Sequence, residues 1–113
     1  MPKLVGRNVL MRIFIGEGDR FGYRLLHEAL VELFKKEGFA GATVLRGMSG
    51  FGAHSLYHTD TLLRLSRDLP VIVEVVDTKE NIDRVMPKID EMMCGGMITL
   101  EKITVVRYSH KHE

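Results

Sequence analysis

The sequence predicts an α+β domain of the ferredoxin-like type, βαββαβ, in which one antiparallel sheet carries two helices on one face. Three observations lead there. Apolar residues alternate at period two in some stretches and recur at helical spacing in others, in the order strand, helix, strand, strand, helix, strand. Glycines, a proline and capping residues fall at the joints between those stretches. No linker, repeat or low-complexity tract divides the 113 residues, so 1–113 reads as a single domain.

Each element has its own signal. "NVLMRIFI" (8–15) sets Val9, Met11, Ile13 and Ile15 on one face of a strand, with Leu10, Arg12 and Phe14 on the other. "GEGD" breaks it, and from about Arg20 to Glu37 the period becomes helical. There Leu26, Ala29, Leu30, Leu33 and Phe34 form the apolar stripe, Asp19 is the expected N-cap, and Gly38 the expected residue just past the C-terminus. "GATVLRGMS" (41–49) reads as a second strand, and "LPVIVEVVD" (69–77) as a third, opened by a proline that a strand's first position accepts. Thr78 caps a second helix with the stripe Ile82, Val85, Met86, Ile89 and Met93. Pro87 inside it removes a hydrogen bond to the Asp83 carbonyl, so a kink or two short helices are expected. "CGG" ends the helical region, and "MITLEKITVVRY" (97–108) supplies one long strand or two short ones before a solvated tail.

Two right-handed crossovers and one hairpin connect these elements. The hairpin connection is long: about twenty residues separate Ser49 from Leu69, where a few would do. Residues 53–61 are expected to be mobile without ligand and ordered with it, Leu56 and Tyr57 offering an apolar contact to a partner. The opposite expectation is a loop pinned against its own oligomer in all states. The sheet face away from the helices is also informative. If Val71, Val73 and Val75 face the helices, then Ile72, Glu74 and Val76 face away beside Leu10, Arg12 and Phe14. That apolar face needs a partner, and its two opposite charges, Arg12 and Glu74, are predicted to lie together beneath it.

Composition excludes several function classes. A net charge of +1 gives no basic excess to release counterions from a polyanion, so nucleic acid is not the expected partner. Cys94 is the single cysteine; without a disulfide partner or a basic neighbour in sequence it reads as a buried structural thiol in a reducing, cytoplasmic setting. The N-terminus does not read as a signal sequence, and no apolar run has the length of a membrane span.

The densest motif is "RGMSGFG" (46–52). Its glycines follow a strand but open a loop, not a helix, so it is no dinucleotide fingerprint. Two readings stay open on spacing alone: backbone amides cradling phosphate with Arg46 as the cation, or a bulge at the start of the hairpin. Among five histidines, His54 and His58 stand four apart, a metal-ligand spacing that lacks a placed third ligand. Solvated loop histidines are the plainer reading. No serine, histidine and acid are linked by position, and the acidic Glu17 and Asp19 in "IGEGDRFGYR" would repel an anionic substrate, so no catalysis is expected.

"IGEGDRFG", "GATVLRGMSGFG" and "LSRDLPVIVEVVD", in this order, resemble the PII-like family known as domain of unknown function one-ninety, over nearly the whole chain. The family's usual proline near the first helix is replaced here by Arg24, and His54 follows the glycines. The resemblance implies a PII-like homotrimer that packs its sheets face to face and is a signalling protein, not an enzyme. It implies an adenine nucleotide (AMP, ADP or ATP) in clefts between subunits, at the base of the long loop. It also implies a partner such as a membrane transporter, with fluoride channels associated through gene neighbourhood. Carried over residue by residue, Arg46, Gly47, Gly50, Phe51 and Gly52 match the start of the loop, and Arg64, Ser66 and Asp68 its end. Arg107 lies about where PII proteins place a phosphate-binding arginine. Only "CGG" stands where those proteins carry a long glycine-and-lysine loop, which points to a mono- or diphosphate ahead of a triphosphate. The alternative is a small trimeric metal-binding protein resembling the cation-tolerance proteins, using His54 and His58.

Overall fold

Alternation builds the centre of the molecule. In the computed structural model, which describes residues 4–51 and 69–109, the first strand β1 runs Gly6–Gly16 and β5 runs Pro70–Asp77. They pair antiparallel, and Met11, Ile13, Val71, Val73 and Val75 are buried while the residues between them keep part of their surface. Around them lie β2 (Arg20–Phe21), β3 (Arg24–Leu25), α1 (Leu26–Lys36), β4 (Thr43–Arg46), α2 (Lys79–Met92) and β6 (Met97–Val105). The main sheet has the order β4-β5-β1-β6 with every neighbour antiparallel, which is the ferredoxin-like arrangement predicted.

The helices end where their sequences say. Gly38 adopts φ +82°, and its N–H donates to the Lys35 carbonyl while that of Phe39 donates to Phe34. This is a Schellman motif, closed by the Phe34 and Phe39 rings at 5.0 Å. Glu37 at that end accepts from Lys88 (2.6 Å) and from Arg84, so a carboxylate joins the C-terminus of α1 to α2. The Lys88 hydrogen bond, followed by Arg84, holds Glu37 below the usual glutamate range against a desolvation that acts the other way. Thr78 caps α2 by accepting the Asn81 N–H through Oγ1 (3.1 Å). Leu26, Leu30, Phe34, Ile82, Val85 and Ile89 supply the helical side of the core.

Two expectations need correction, and two pairs of alternatives are decided. Asp19 does not cap α1: its Oδ2 accepts the Gly16 N–H (3.0 Å), and a small β2–β3 hairpin intervenes before the helix starts at Leu26 with Leu25 at the cap. The strand signal there was too short to read, because each strand has only two residues. Cys94 is exposed, because α2 ends at Met92 and Met93 turns to an extended conformation, carrying Cys94 off the apolar stripe. The helix α2 is a single segment through Pro87, so two short helices are not formed. β6 is likewise one strand.

Candidate functional site

The register of the sheet decides which residues can meet. Arg46, the last residue of β4, pairs with Val71, and Val71 pairs with Ile15 near the end of β1. Glu17 lies just beyond, its N–H donating to the Leu69 carbonyl (2.8 Å). Arg46 Nη2 and Glu17 Oε2 are 2.9 Å apart, with the arginine side chain 60 % exposed and the glutamate 22 %. Glu17 is therefore the partner of the candidate anion-binding arginine. Its sequence reading as a repelling charge missed this, since the two are 29 positions apart and only the strand register joins them.

The glycines after Arg46 approach Pro70. A Cβ on Gly47 would stand 2.8 Å from the Pro70 Cγ and 3.3 Å from its carbonyl oxygen, and one on Gly50 would stand 3.2 Å from Cγ. The Gly47 N–H donates to the Pro70 carbonyl (2.7 Å), so this amide already has its acceptor. Close backbone approach at the first turn of the loop thus has a local cause, and Gly47 contributes shape there, while Arg46 contributes charge. Phe51 and Met48 are exposed on the same segment. Gly52, Arg64, Ser66, Asp68, His54 and His58 lie outside the described residues, as does the 53–61 loop. Among the described residues no group of three or more His, Cys, Asp or Glu could hold a metal ion.

Arg107 is elsewhere. It follows β6, whose Val105 pairs with Gly6 at the opposite end of β1 from Ile15. Nine residue steps of extended strand separate those two levels, roughly 30 Å at about 3.3 Å per residue. One chain therefore does not bring Arg46 and Arg107 together. Near Arg107 a cleft of about 420 Å³ has a lining that includes Ala42, Thr43, Val76, Val105 and Tyr108, a mostly apolar wall with Glu74 as its one charged residue among the described residues, which sequence reasoning did not find. It forms where the segment preceding β4 meets the end of β6, a juxtaposition with no local sequence signal.

The open face of the sheet is ordered in rows. Leu45, Ile72, Phe14 and Met97 stand side by side across β4, β5, β1 and β6, and the next row is Thr43, Glu74, Arg12 and Thr99. Arg12 Nε donates to Glu74 Oε2 at 2.8 Å, as the two lone charges on that face predicted, and Glu101 lies 3.6 Å from the same guanidinium. The Glu74 hydrogen bond raises the Arg12 pKa, opposed by a smaller desolvation. An ion pair framed by an apolar row is a surface built to be covered.

The family description "Uncharacterized ACR", DUF190, matches residues 8–105. The chain belongs to this family. A UPF0166 protein of Methanocaldococcus jannaschii is 42 % identical over 84 residues, covering 74 % of this chain and 77 % of the relative. A UPF0166 protein of Aquifex aeolicus is 35 % identical over 102 residues, covering 90 % and 96 %. Among solved structures, the DUF190 chain is similar to CPII of Thiomonas intermedia K12, a nitrogen regulatory PII-like protein bound to ADP, AMP and bicarbonate. That match has TM-score 0.64 at 15 % identity and covers 88 % of this chain and 94 % of that one. A Thermus thermophilus protein, provisionally described as PII-like and signalling, gives TM-score 0.63 at 20 % identity, covering 90 % and 92 %. These likenesses establish a PII-like fold for this DUF190 protein. No helix among its described residues is long and apolar enough to cross a membrane.

Proposed function

We propose that this DUF190 protein is a non-catalytic PII-like regulator that binds an adenine nucleotide, AMP or ADP ahead of ATP, between the subunits of a homotrimer in the cytoplasm. The observation that carries the reading is the separation of Arg46 and Arg107 to opposite ends of one sheet. A site using both arginines takes one from each of two chains. The apolar cleft beside Tyr108 offers a wall for the base, and the arginines offer charge-assisted hydrogen bonds to the phosphates. The likeness to CPII, which is bound to ADP and AMP, supports the same ligand class. The loop between β4 and β5 carries the signal in this reading: nucleotide alters its contacts through Gly47, Gly50, Phe51 and Gly52 at its start and Arg64 and Ser66 at its end. The family resemblance makes a membrane transporter or channel the partner class for that loop.

Glu17 then competes with the phosphates for Arg46, because a guanidinium held at 2.9 Å by a carboxylate must turn or share its donors to take an anion. Calorimetry with ADP tests both residues. Arg46→Ala is expected to weaken binding by roughly ten- to a hundred-fold, the loss of a charge-assisted hydrogen bond. Glu17→Gln is expected to tighten it. Unchanged affinity in an intact Arg46→Ala oligomer removes Arg46 from the site, and weaker binding by Glu17→Gln makes Glu17 an aid to Arg46 instead of a competitor.

A further inference from the structure

The helix-bearing side of the sheet has a separate basic cleft at the end away from Arg46. Its volume is about 410 Å³, and its lining includes Arg7 and Val9 of β1, Lys102, Ile103 and Thr104 of β6, and Lys79, the first residue of α2. Arg7 pairs with Thr104 and Val9 with Lys102, which makes Arg7 and Lys102 diagonal neighbours on one face of the sheet. Among the described residues no carboxylate lines the cleft. Lys79 is neutralised by Asp83 at 2.7 Å, and Arg12, Arg24, Arg46, Arg84 and Lys88 each have a carboxylate partner. Arg7 and Lys102 have none among the described residues. Two like charges held as neighbours repel, and a counter-ion seated between them relieves that repulsion.

We infer that this cleft binds the phosphate group of a small organic phosphate, at a site distinct from the nucleotide site proposed above. A dianion matches two uncompensated cations, and the arginine fork fits two phosphate oxygens at once. Val9, on the same face as Arg7 and Lys102, adds apolar surface beside the charges, which suits an ester more than the bare ion. The site needs neither Arg46 nor Arg107, so its test is independent of the nucleotide reading.

The test is an amide chemical-shift titration of the full chain with phenyl phosphate, and in a second arm with inorganic phosphate. Shifts are expected at Arg7, Val9, Lys79, Lys102 and Thr104, with the ester binding tighter than the ion. The double variant Arg7→Gln/Lys102→Gln should weaken binding about ten- to a hundred-fold, and Arg46→Ala should leave it unchanged. Both exchanged residues are exposed, and a melting curve on the double variant verifies that it folds. Equal binding of the two probes still supports the anion site and assigns it to the phosphate group alone. No shifts at these amides with either probe, or a folded double variant that binds as tightly as the wild type, overturns the inference.

Discussion

On the helix-covered face of the sheet Ile13 and Val73 lie opposite one another with no exposed surface, whereas one residue along Phe14 and Ile72 lie opposite one another and keep part of theirs. The residue types hardly differ. What differs is that α1 and α2 supply Leu30, Phe34, Ile82 and Ile89 to the first face, and no element among the described residues covers the second. The central charges of the open face are paired with each other, Arg12 with Glu74, which lets an apolar partner cover them at a lower desolvation penalty than isolated charges would impose. An alternating strand therefore specifies two buried faces, and only one of them is completed by the described residues of the chain.

Substitutions on the two faces should separate these roles. Ile13→Ala removes fully buried methyl groups and should destabilise the chain by about 2–5 kcal/mol in denaturant unfolding, at every protein concentration. Ile72→Ala should act through the assembly, so that its melting temperature falls most at low protein concentration. A concentration-independent loss in Ile72→Ala as large as that of Ile13→Ala would mean that the open face is completed within one chain. A smaller effect is expected for Arg12→Ala, which leaves Glu74 with no cation on the open face and should shift the proposed trimer towards smaller species in light scattering. A wild-type protein that is monomeric at micromolar concentration contradicts this reading, as does an Arg12→Ala trimer as stable as the wild type.

The smallest expected effect lies on the helical side, at Glu37. Its pKa is depressed in the folded chain, so the stability it contributes is present above its unfolded pKa and is lost as the pH falls through the folded one. Glu37→Gln should lower the melting temperature modestly at neutral pH and converge with the wild type in acid. A difference that persists unchanged at low pH would mean that Glu37 acts through packing and not through its charge pairs with Lys88 and Arg84.

What could be read from sequence follows the range of each interaction. The alternation of Met11, Ile13 and Ile15, the Gly38 turn and the Thr78 cap are local, and each stands where its neighbours require. The Arg12–Glu74 pair was legible because two lone charges on adjacent strands have few other partners. The Glu17–Arg46 pair was not, because it depends on how β4 registers against β5 and β1. The packing of Gly47 and Gly50 against Pro70 was hidden for the same reason: the proline signalled a strand start, and nothing in the chain marked it as the surface the glycines meet. Asp77 shows the limit from another side. It is buried, accepting from Thr78, Asn81 and the Ala40 amide, and so ties the approach to β4 to the start of α2, yet in the sequence it is one more acid after a strand.

The central claim is that Arg46 of one chain and Arg107 of another share a nucleotide. Calorimetry with ADP on mixed trimers tests it most directly: Arg46→Ala and Arg107→Ala proteins are each expected to bind poorly alone. Refolded together at equal amounts, they should regain roughly one wild-type site in four, because some interfaces then pair an intact Arg46 with an intact Arg107 from the neighbouring chain. Failure of the mixture to regain any tight site, while the wild type binds ADP, would contradict a site shared between chains, and a wild type that binds no adenine nucleotide would contradict the reading altogether.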